Sequence, residues 1–484
     1  MGYQYEPLRV EPIDEREVEL IVGRRPERSL ARKVIRCALT VGLALVLLHA
    51  YRGGVSRHQA VELMLDGEGH SPWINPAERG ELVKCFREEA SEEKHLNHPE
   101  DHDHKHHELK FVTLPEFTLD GDSLYFFADP PPEERRHEHR GATYGEVVFA
   151  VSDESDEITV NAKIGYRRRI ISDVCTFKRE DGSVGVGVVI PDADDDHHGG
   201  HDHEHEDPDH PHHPHHPHGP HHGGRRHHRE NNRVKLVVQF PTSKAPLHLK
   251  GLETHMPLYR HAFGDLGERV QIDSLDLRSA NAPIEAGSVL AKTAEVKTVN
   301  SIISGSFNAT NSLTITSANA PIDVKIGFVS SLKEDEGAAT LTLRTANADI
   351  KAVIDLSTSG DDFAGDFLVE TFTANAPLAL QILSLPSGGK LGLSGKTANA
   401  PANVVLPTSY EGVFRLSTLF FKPELVTRGD VEDPASRGRK RTVELRKWAP
   451  SGVDGEVYWG EKDDETPSGW VELETKLAPV SLTV

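Results

Sequence analysis

The chain has 484 residues, of which 37% are apolar, with a mean hydropathy of −0.46 and a formal charge of −22 at pH 7 when histidine is counted neutral. Acidic excess spread along the whole length argues against a nucleic-acid partner, which needs a basic face, and the apolar content is modest for packing every residue into a core. Full protonation of the 29 histidines would carry the charge from −22 to −22 + 29 = +7, a sign change within reach of a mildly acidic compartment.

The run VIRCALTVGLALVLLHAY, Val34–Tyr51, is the one long apolar stretch. At ~1.5 Å per helical residue it spans ~27 Å, enough for a thin bilayer if Arg36 snorkels to the interface. Arg24, Arg25, Arg28, Arg32, Lys33 and Arg36 stand before or at its start, against Arg52 and Arg57 close behind. The excess of cations on the leading side makes residues 1–33 a cytosolic tail and 34–51 a transmembrane signal anchor, with the rest lumenal or extracellular. A cleaved signal peptide is the rival reading. Its best cleavage point, before Tyr51, has Leu48 where a small residue is wanted, and the charged leader is long for a signal.

Residues 52–108 read as a polar, partly helical stalk ending in a cluster of His95, His98, His102, His104, His106 and His107. Cys37 lies in the apolar run, which leaves Cys85 and Cys175 on an oxidising side, either as a disulfide or as two small buried hydrophobes. Residues 109–192 read as strands that open a β domain, with hairpin signals at Asp120-Gly121 and Asp181-Gly182. Within them ITVNAKI, Ile158–Ile164, looks like a worn copy of a motif that recurs later.

Residues 193–230 form a His/Asp/Pro-rich insertion expected to be disordered. Proline recurs every third residue from Pro208 to Pro220, the period of a polyproline II rod, so histidines fill its other two edges. His201, His203, His205, His210, His212, His213, His215, His216 and His218 are neutral-imidazole ligands suited to zinc, nickel or copper. Redundant ligands on such a backbone do not close one tetrahedron, so weak capture of several ions is the expected form, on a segment whose main role is that of a spacer. No cofactor is expected beyond such loosely held metal.

Residues 231–484 carry an internal repeat: SANAPI from Ser279 and again from Ser317, TVNSII from Thr298, TANADI from Thr345, TANAPL from Thr373 and TANAPA from Thr397. Its asparagines are Asn281, Asn300, Asn319, Asn347, Asn375 and Asn399. Apolar residues alternate up to each motif, as Leu341, Leu343, Thr345, and resume on the opposite parity beyond it, as Ile350, Ala352, Ile354. A strand, a corner and a second strand per coil, repeated, predict an all-β fold, a parallel β-solenoid-like ectodomain with stacked asparagine corners. A β-sandwich with the motif at bent strands is the alternative. Asparagine suits a corner because it tolerates left-handed backbone and its amide can bond neighbouring main chain. A catalytic use is the weaker reading, since no carboxylate or nucleophile recurs beside the amide. Asn308-Ala309-Thr310 is a glycosylation sequon, and Lys440-Arg441 is a dibasic pair in a basic turn.

The reiterated TANAP motif, its alternating flanks, the basic tail with one apolar helix and the strand-like end GWVELETKLAPVSLTV resemble a group of uncharacterised fungal single-pass membrane proteins. Their repeat region is similar to bacterial adhesin-like β-solenoid domains. The resemblance covers about residues 240–484; it implies a fold and a cell-surface setting and no activity or binding residues. The expected function is therefore a structural or binding role at the cell surface or in the secretory pathway, through contact with a cell-wall glycan or a surface protein. The alternative is surface metal handling through the histidine tracts. An enzyme is not expected, because no paired carboxylates recur on consecutive coils. Oligomeric state is not legible.

Overall fold

The computed structural model describes residues 74–86, 109–130, 140–167, 170–191, 230–242, 245–330, 337–360, 365–429, 431–462 and 469–484. The apolar run Val34–Tyr51 and both histidine clusters, His201 to His218 included, lie outside them. No helix among the described residues is long and apolar enough to cross a membrane.

The described residues are all-β. Twenty-seven strands join in one hydrogen-bonded, mostly parallel and unclosed sheet system, with two single-turn 3-10 segments at Pro76–Glu78 and Gly267–Arg269. Through the repeats every ladder is parallel, which excludes the antiparallel sandwich there. Each strand pairs with its equivalent one coil later, because the alternating β-branched and apolar residues come into register at each repeat. Ile284, Ile303, Ile322, Ile350, Leu378, Ala402 and Val480 form one such column on the strands that follow the corner. Leu277, Val296, Ile315 and Leu343 form another on the strands that precede it. All of these side chains are buried, at ~1.5–3 kcal/mol each for the larger aliphatics.

The parity change falls one residue earlier than the alternation implies. Leu341, Leu343 and Thr345 face the core, and the inward set then passes to Ala346 and Ala348, with Asn347 exposed between them. The same order holds at the other corners, where Val299, Ser301, Ala374 and Ala398 are half-buried. Inward space at a bend between two sheet faces admits a hydroxyl or a methyl group and little more, so the longer amide is directed out. None of the six asparagines takes the left-handed backbone; among the described non-glycine residues Ser436 alone has a positive φ.

The two ends of the stack are built differently from its middle. At the N-terminal end, Ile158–Tyr166 pairs antiparallel with Glu230–Pro241, Lys110–Thr113 and Phe117–Leu119. It is one uninterrupted strand with no corner, so its likeness to the repeat is not structural. Asp181-Gly182 does make a hairpin, between Asp173–Lys178 and Val184–Val189, with Gly182 at φ 89°. Asp120-Gly121 does not: Phe117–Leu119 pairs with Ile158–Tyr166, whereas Ser123–Ala128 pairs with Val184–Val189 and Leu247–His255. Glu81–Phe86, within the segment read as stalk, is an edge strand paired with Asp173–Lys178, so the β domain begins before residue 109.

At the C-terminal end the order of coils is not the order of sequence. Gly469–Glu474 lies between Lys390–Thr397 and Gly412–Ser417, and Val480–Thr483 lies between Ala402–Val405 and Glu424–Val426. The last residues of the chain thus fill a slot left by earlier ones. Beyond them an antiparallel hairpin, Arg441–Ala449 with Gly452–Trp459, covers Gly412–Ser417. Crossed, antiparallel strands at both ends cover sheet edges that would otherwise be templates for pairing with another chain.

Candidate functional site

The repeat asparagines form a continuous file along one exposed corner. The Nδ2 amide of Asn300 donates to Asn281 Oδ1 at 2.8 Å, Asn319 to Asn300 at 2.9 Å and Asn347 to Asn319 at 2.7 Å. Asn375 donates to Asn347 at 2.8 Å and Asn399 to Asn375 at 2.7 Å. Main-chain bonds run beside them, with each asparagine N–H donating to a carbonyl one coil back, as Asn300 to Ala280 at 2.8 Å and Asn399 to Ala374 at 3.0 Å. The amides therefore bond one another, and no side-chain bond from any of them to corner main chain accompanies the file. The same main-chain pattern places Leu258 one coil before Asn281 and Leu477 one coil after Asn399. Leucine ends the amide file on both sides.

The residue that opens the motif is buried at every corner, and at five of the seven its hydroxyl bonds main chain, whereas those of Thr298 and Thr345 have no partner. Ser279, Thr298, Ser317, Thr345, Thr373, Thr397 and Thr475 are all buried. Ser279 Oγ donates to the Ala282 carbonyl at 2.7 Å and Thr373 Oγ1 to that of Ala348 at 3.1 Å, while Ser317 Oγ accepts from the Ala320 N–H at 3.1 Å. Thr397 and Thr475 reach the carbonyls of Ala400 and Ala478. The sequence signal for this role is the Ser or Thr that opens every copy.

Cys85 and Cys175 face each other in register on Glu81–Phe86 and Asp173–Lys178 and form a disulfide. Most side chains of the edge strand are exposed, so the disulfide, the main-chain ladder and the stacking of Phe86 on Phe117 at 4.4 Å hold it. Asn308 lies mid-strand in Ile303–Ser317, half-buried, and the amide nitrogen that a glycan would modify donates to Ser288 Oγ at 3.3 Å and the Val289 carbonyl at 3.2 Å. Lys440 is exposed just before Arg441–Ala449. The turn ahead of it is fastened by Asp433, which accepts from the main-chain N–H groups of Ala435, Arg437 and Arg439 and from the Arg439 guanidinium. Those bonds hold its carboxyl well below the usual range.

Outward charges are paired both along single strands and across coils. Arg278 reaches Asp276 at 2.7 Å and Glu295 at 3.8 Å, Lys297 reaches Glu295 at 2.7 Å, and Arg344 reaches Glu370 at 3.7 Å. At the N-terminal end Arg179 forks onto Glu253 at 2.7 and 3.2 Å and lies over the Tyr125 ring at 3.9 Å. Burial alone would raise the Glu253 carboxyl, but hydrogen bonds from His255 and Arg179 hold it at about 2. A groove of about 320 Å³ opens between Arg260, Phe263, Glu285, Gly287, Ser304 and Gly305. Gly305, at φ 114°, has no room for a side chain, since a Cβ there would lie 1.9 Å from the Ala286 carbonyl oxygen. The Arg260 cation on its rim is already engaged by Glu285, at 2.5 and 3.2 Å. Among the described residues no group of three or more His, Cys, Asp or Glu converges as a metal site.

No family model matches the chain, and no curated protein does. Among solved structures the chain is similar to a "putative cell adhesion protein" from Clostridium sporogenes, at 7% identity over 77% of this chain and 99% of that one, with a TM-score of 0.14. At that score the likeness carries no argument about function.

Proposed function

We propose that this is a single-pass membrane protein, anchored by Val34–Tyr51, whose β domain is a parallel solenoid serving as a structural or adhesive element outside the cytosol. The observation that carries the reading is where the repeat spends its identical residues. The hydroxyl and the amide of each copy, and most of the alanines, are committed to burial or to the coil above and below. What recurs therefore builds a stiff scaffold, and the outward strand positions are left to vary, as suits a surface that contacts a cell-wall glycan or a surface protein.

The test has two arms on the full-length chain. Reporters at each terminus, with protease added to intact cells and to sealed vesicles, are expected to leave the N-terminal tag protected on the cytosolic side. The C-terminal tag is expected to be cleaved at the cell surface, or shielded within vesicles. Cells displaying the protein are then expected to gain adhesion to a panel of immobilised glycans and cell-wall fractions over cells lacking it. A C-terminal tag in the cytosol would overturn the topology; equal adhesion with and without the chain would overturn the role.

A further inference from the structure

On the outer face of the C-terminal coils one aromatic side chain has a prepared seat. Trp470, in Gly469–Glu474, stands in register with Gly392 on one side and Val413 on the other, and Leu368 follows Gly392 one coil further on. Gly392 alone of these positions has no side chain. A Cβ on it would lie 2.9 Å from Trp470 Nε1, 3.0 Å from Cε2 and 3.1 Å from Cζ2, so the indole reaches across onto the glycine's strand and rests against its main chain. Gly392 is buried beneath it, while Trp470 remains 41% exposed. Two residues along the same strands, Ser394 and Glu472 face outward in register with each other. Neither side chain has a hydrogen-bond or ion-pair partner among the described residues. Arg415 stands in register with Glu472 on the next coil and reaches Asp454 at 3.4 Å, and Glu370 stands in register with Ser394 on the one before and reaches Arg344 at 3.7 Å.

We propose that Trp470, seated on Gly392, together with Ser394 and Glu472, forms a platform for one sugar ring of a neutral glycan. A large aromatic face kept in water is a common mark of a recognition surface, since aromatic rings supply much contact area at low entropic cost. The occupant has to offer a flat apolar face to the ring and hydroxyl groups at its edge to the free carboxylate and hydroxyl, which is the chemistry of a pyranose. A cationic side chain also suits an aromatic face beside a carboxylate, and a lysine-rich peptide is therefore the competing probe in the titration. The site rests on the adhesive reading above and gives that reading its ligand class.

The purified full-length chain is titrated with oligomers of glucose, N-acetylglucosamine and mannose, and with a lysine-rich peptide, following indole fluorescence and heat. At least one neutral oligosaccharide is expected to bind and to shift the fluorescence. Trp470→Ala weakens it by ~30-fold or more, the range of an aromatic hot spot. Gly392→Ala keeps the indole but places a methyl group under it, and weakens binding about tenfold with melting preserved, which a purely structural tryptophan would not explain. Glu472→Gln retains hydrogen bonding and is expected within about threefold of the parent. Oligosaccharide binding unchanged by Trp470→Ala and Gly392→Ala would overturn this site while leaving the adhesive role intact. Binding of the peptide alone, lost in Glu472→Gln, would overturn the ligand class. If the parent binds no oligosaccharide, the site falls, and the adhesion assay on whole cells decides separately whether the role falls with it.

Discussion

Replacing Asn347 by leucine isolates the energetics of the amide file, because the fold already accepts leucine at that corner position in Leu258 and Leu477. The change removes two side-chain bonds, the one donated to Asn319 at 2.7 Å and the one accepted from Asn375 at 2.8 Å. Exposed amide pairs exchange with water, so each is worth ~0.5 kcal/mol, the low end of the net range for a hydrogen bond, and the interior site loses ~1 kcal/mol. Asn399 gives one bond in the file and Asn281 receives one, so leucine there costs ~0.5 kcal/mol. The double change at Asn319 and Asn347 breaks three bonds where the single changes together count four, a coupling of ~0.5 kcal/mol. Urea denaturation of the full-length chain at constant slope measures all five variants, the single changes at Asn281, Asn319, Asn347 and Asn399 and the double. Equal losses at Asn281 and Asn347, or strict additivity at the neighbouring pair, would show that the amides do not act as a file.

His261 is fully buried in the core column between Val147 and Ile284, with neither ring nitrogen hydrogen-bonded, and burial pushes it down to about 4. Its folded pKa lies below the unfolded value near ~6.5, so the neutral ring's stability is fully present above ~6.5 and is lost as pH falls towards 4, by up to ~3 kcal/mol. His261→Val is expected to flatten this part of the melting curve between pH 7 and 4.5; an unchanged pH dependence would refute it. Reduction of Cys85–Cys175 is expected to free Glu81–Phe86 for hydrogen exchange while the repeat strands keep their protection. Continued protection of that strand in reductant would show that main-chain pairing and the ring stack hold it without the disulfide. Deletion of residues 197–228, between Val184–Val189 and Glu230–Pro241, is expected to abolish most zinc or nickel uptake and to leave the β domain's melting unchanged. An earlier melt, or a single tightly held ion in the parent, would mean that the tract is part of an ordered site.

The repeated coil was legible because its cause acts locally. Every middle coil meets the same neighbours, so the same residue types return, and alternation of the flanks fixes which strand faces pack. What the alternation could not fix was the sense of the corner. Counting by twos from Leu341 puts Asn347 on the inner parity, and only the bend, which admits Thr345 and Ala346 together, turns the amide outward. The ends were illegible for a different reason. The pairing of Glu81–Phe86 with Asp173–Lys178 joins segments far apart in sequence that share no motif. That of Gly392 with Trp470 joins the strands ahead of Thr397 and Thr475, copies separated by the strands Gly412–Ser417 to Gly452–Trp459, so their adjacency and register depend on the finished stack. The seat beneath Trp470 is invisible until that register is known.

The imperfect copies show which part of the motif the stack requires. TVNSII gives up both alanines and the proline, as Val299, Ser301 and Ile302, and TANADI gives up the proline as Asp349, yet both keep the amide, at Asn300 and Asn347. The closing copy, TKLAPV from Thr475, does the reverse: it keeps Ala478 and Pro479 and has Leu477 in the amide's place. Asn300 and Asn347 each have an amide on both sides, so losing either would break two bonds and divide the file. An asparagine at 477 would have Asn399 on one side and, where Leu419 donates its main-chain N–H to the Lys476 carbonyl, an apolar residue on the other. Half the return from the same side chain leaves that position free to change. The requirement for asparagine therefore follows from having two like neighbours, which is a property of stacking and not of the individual turn.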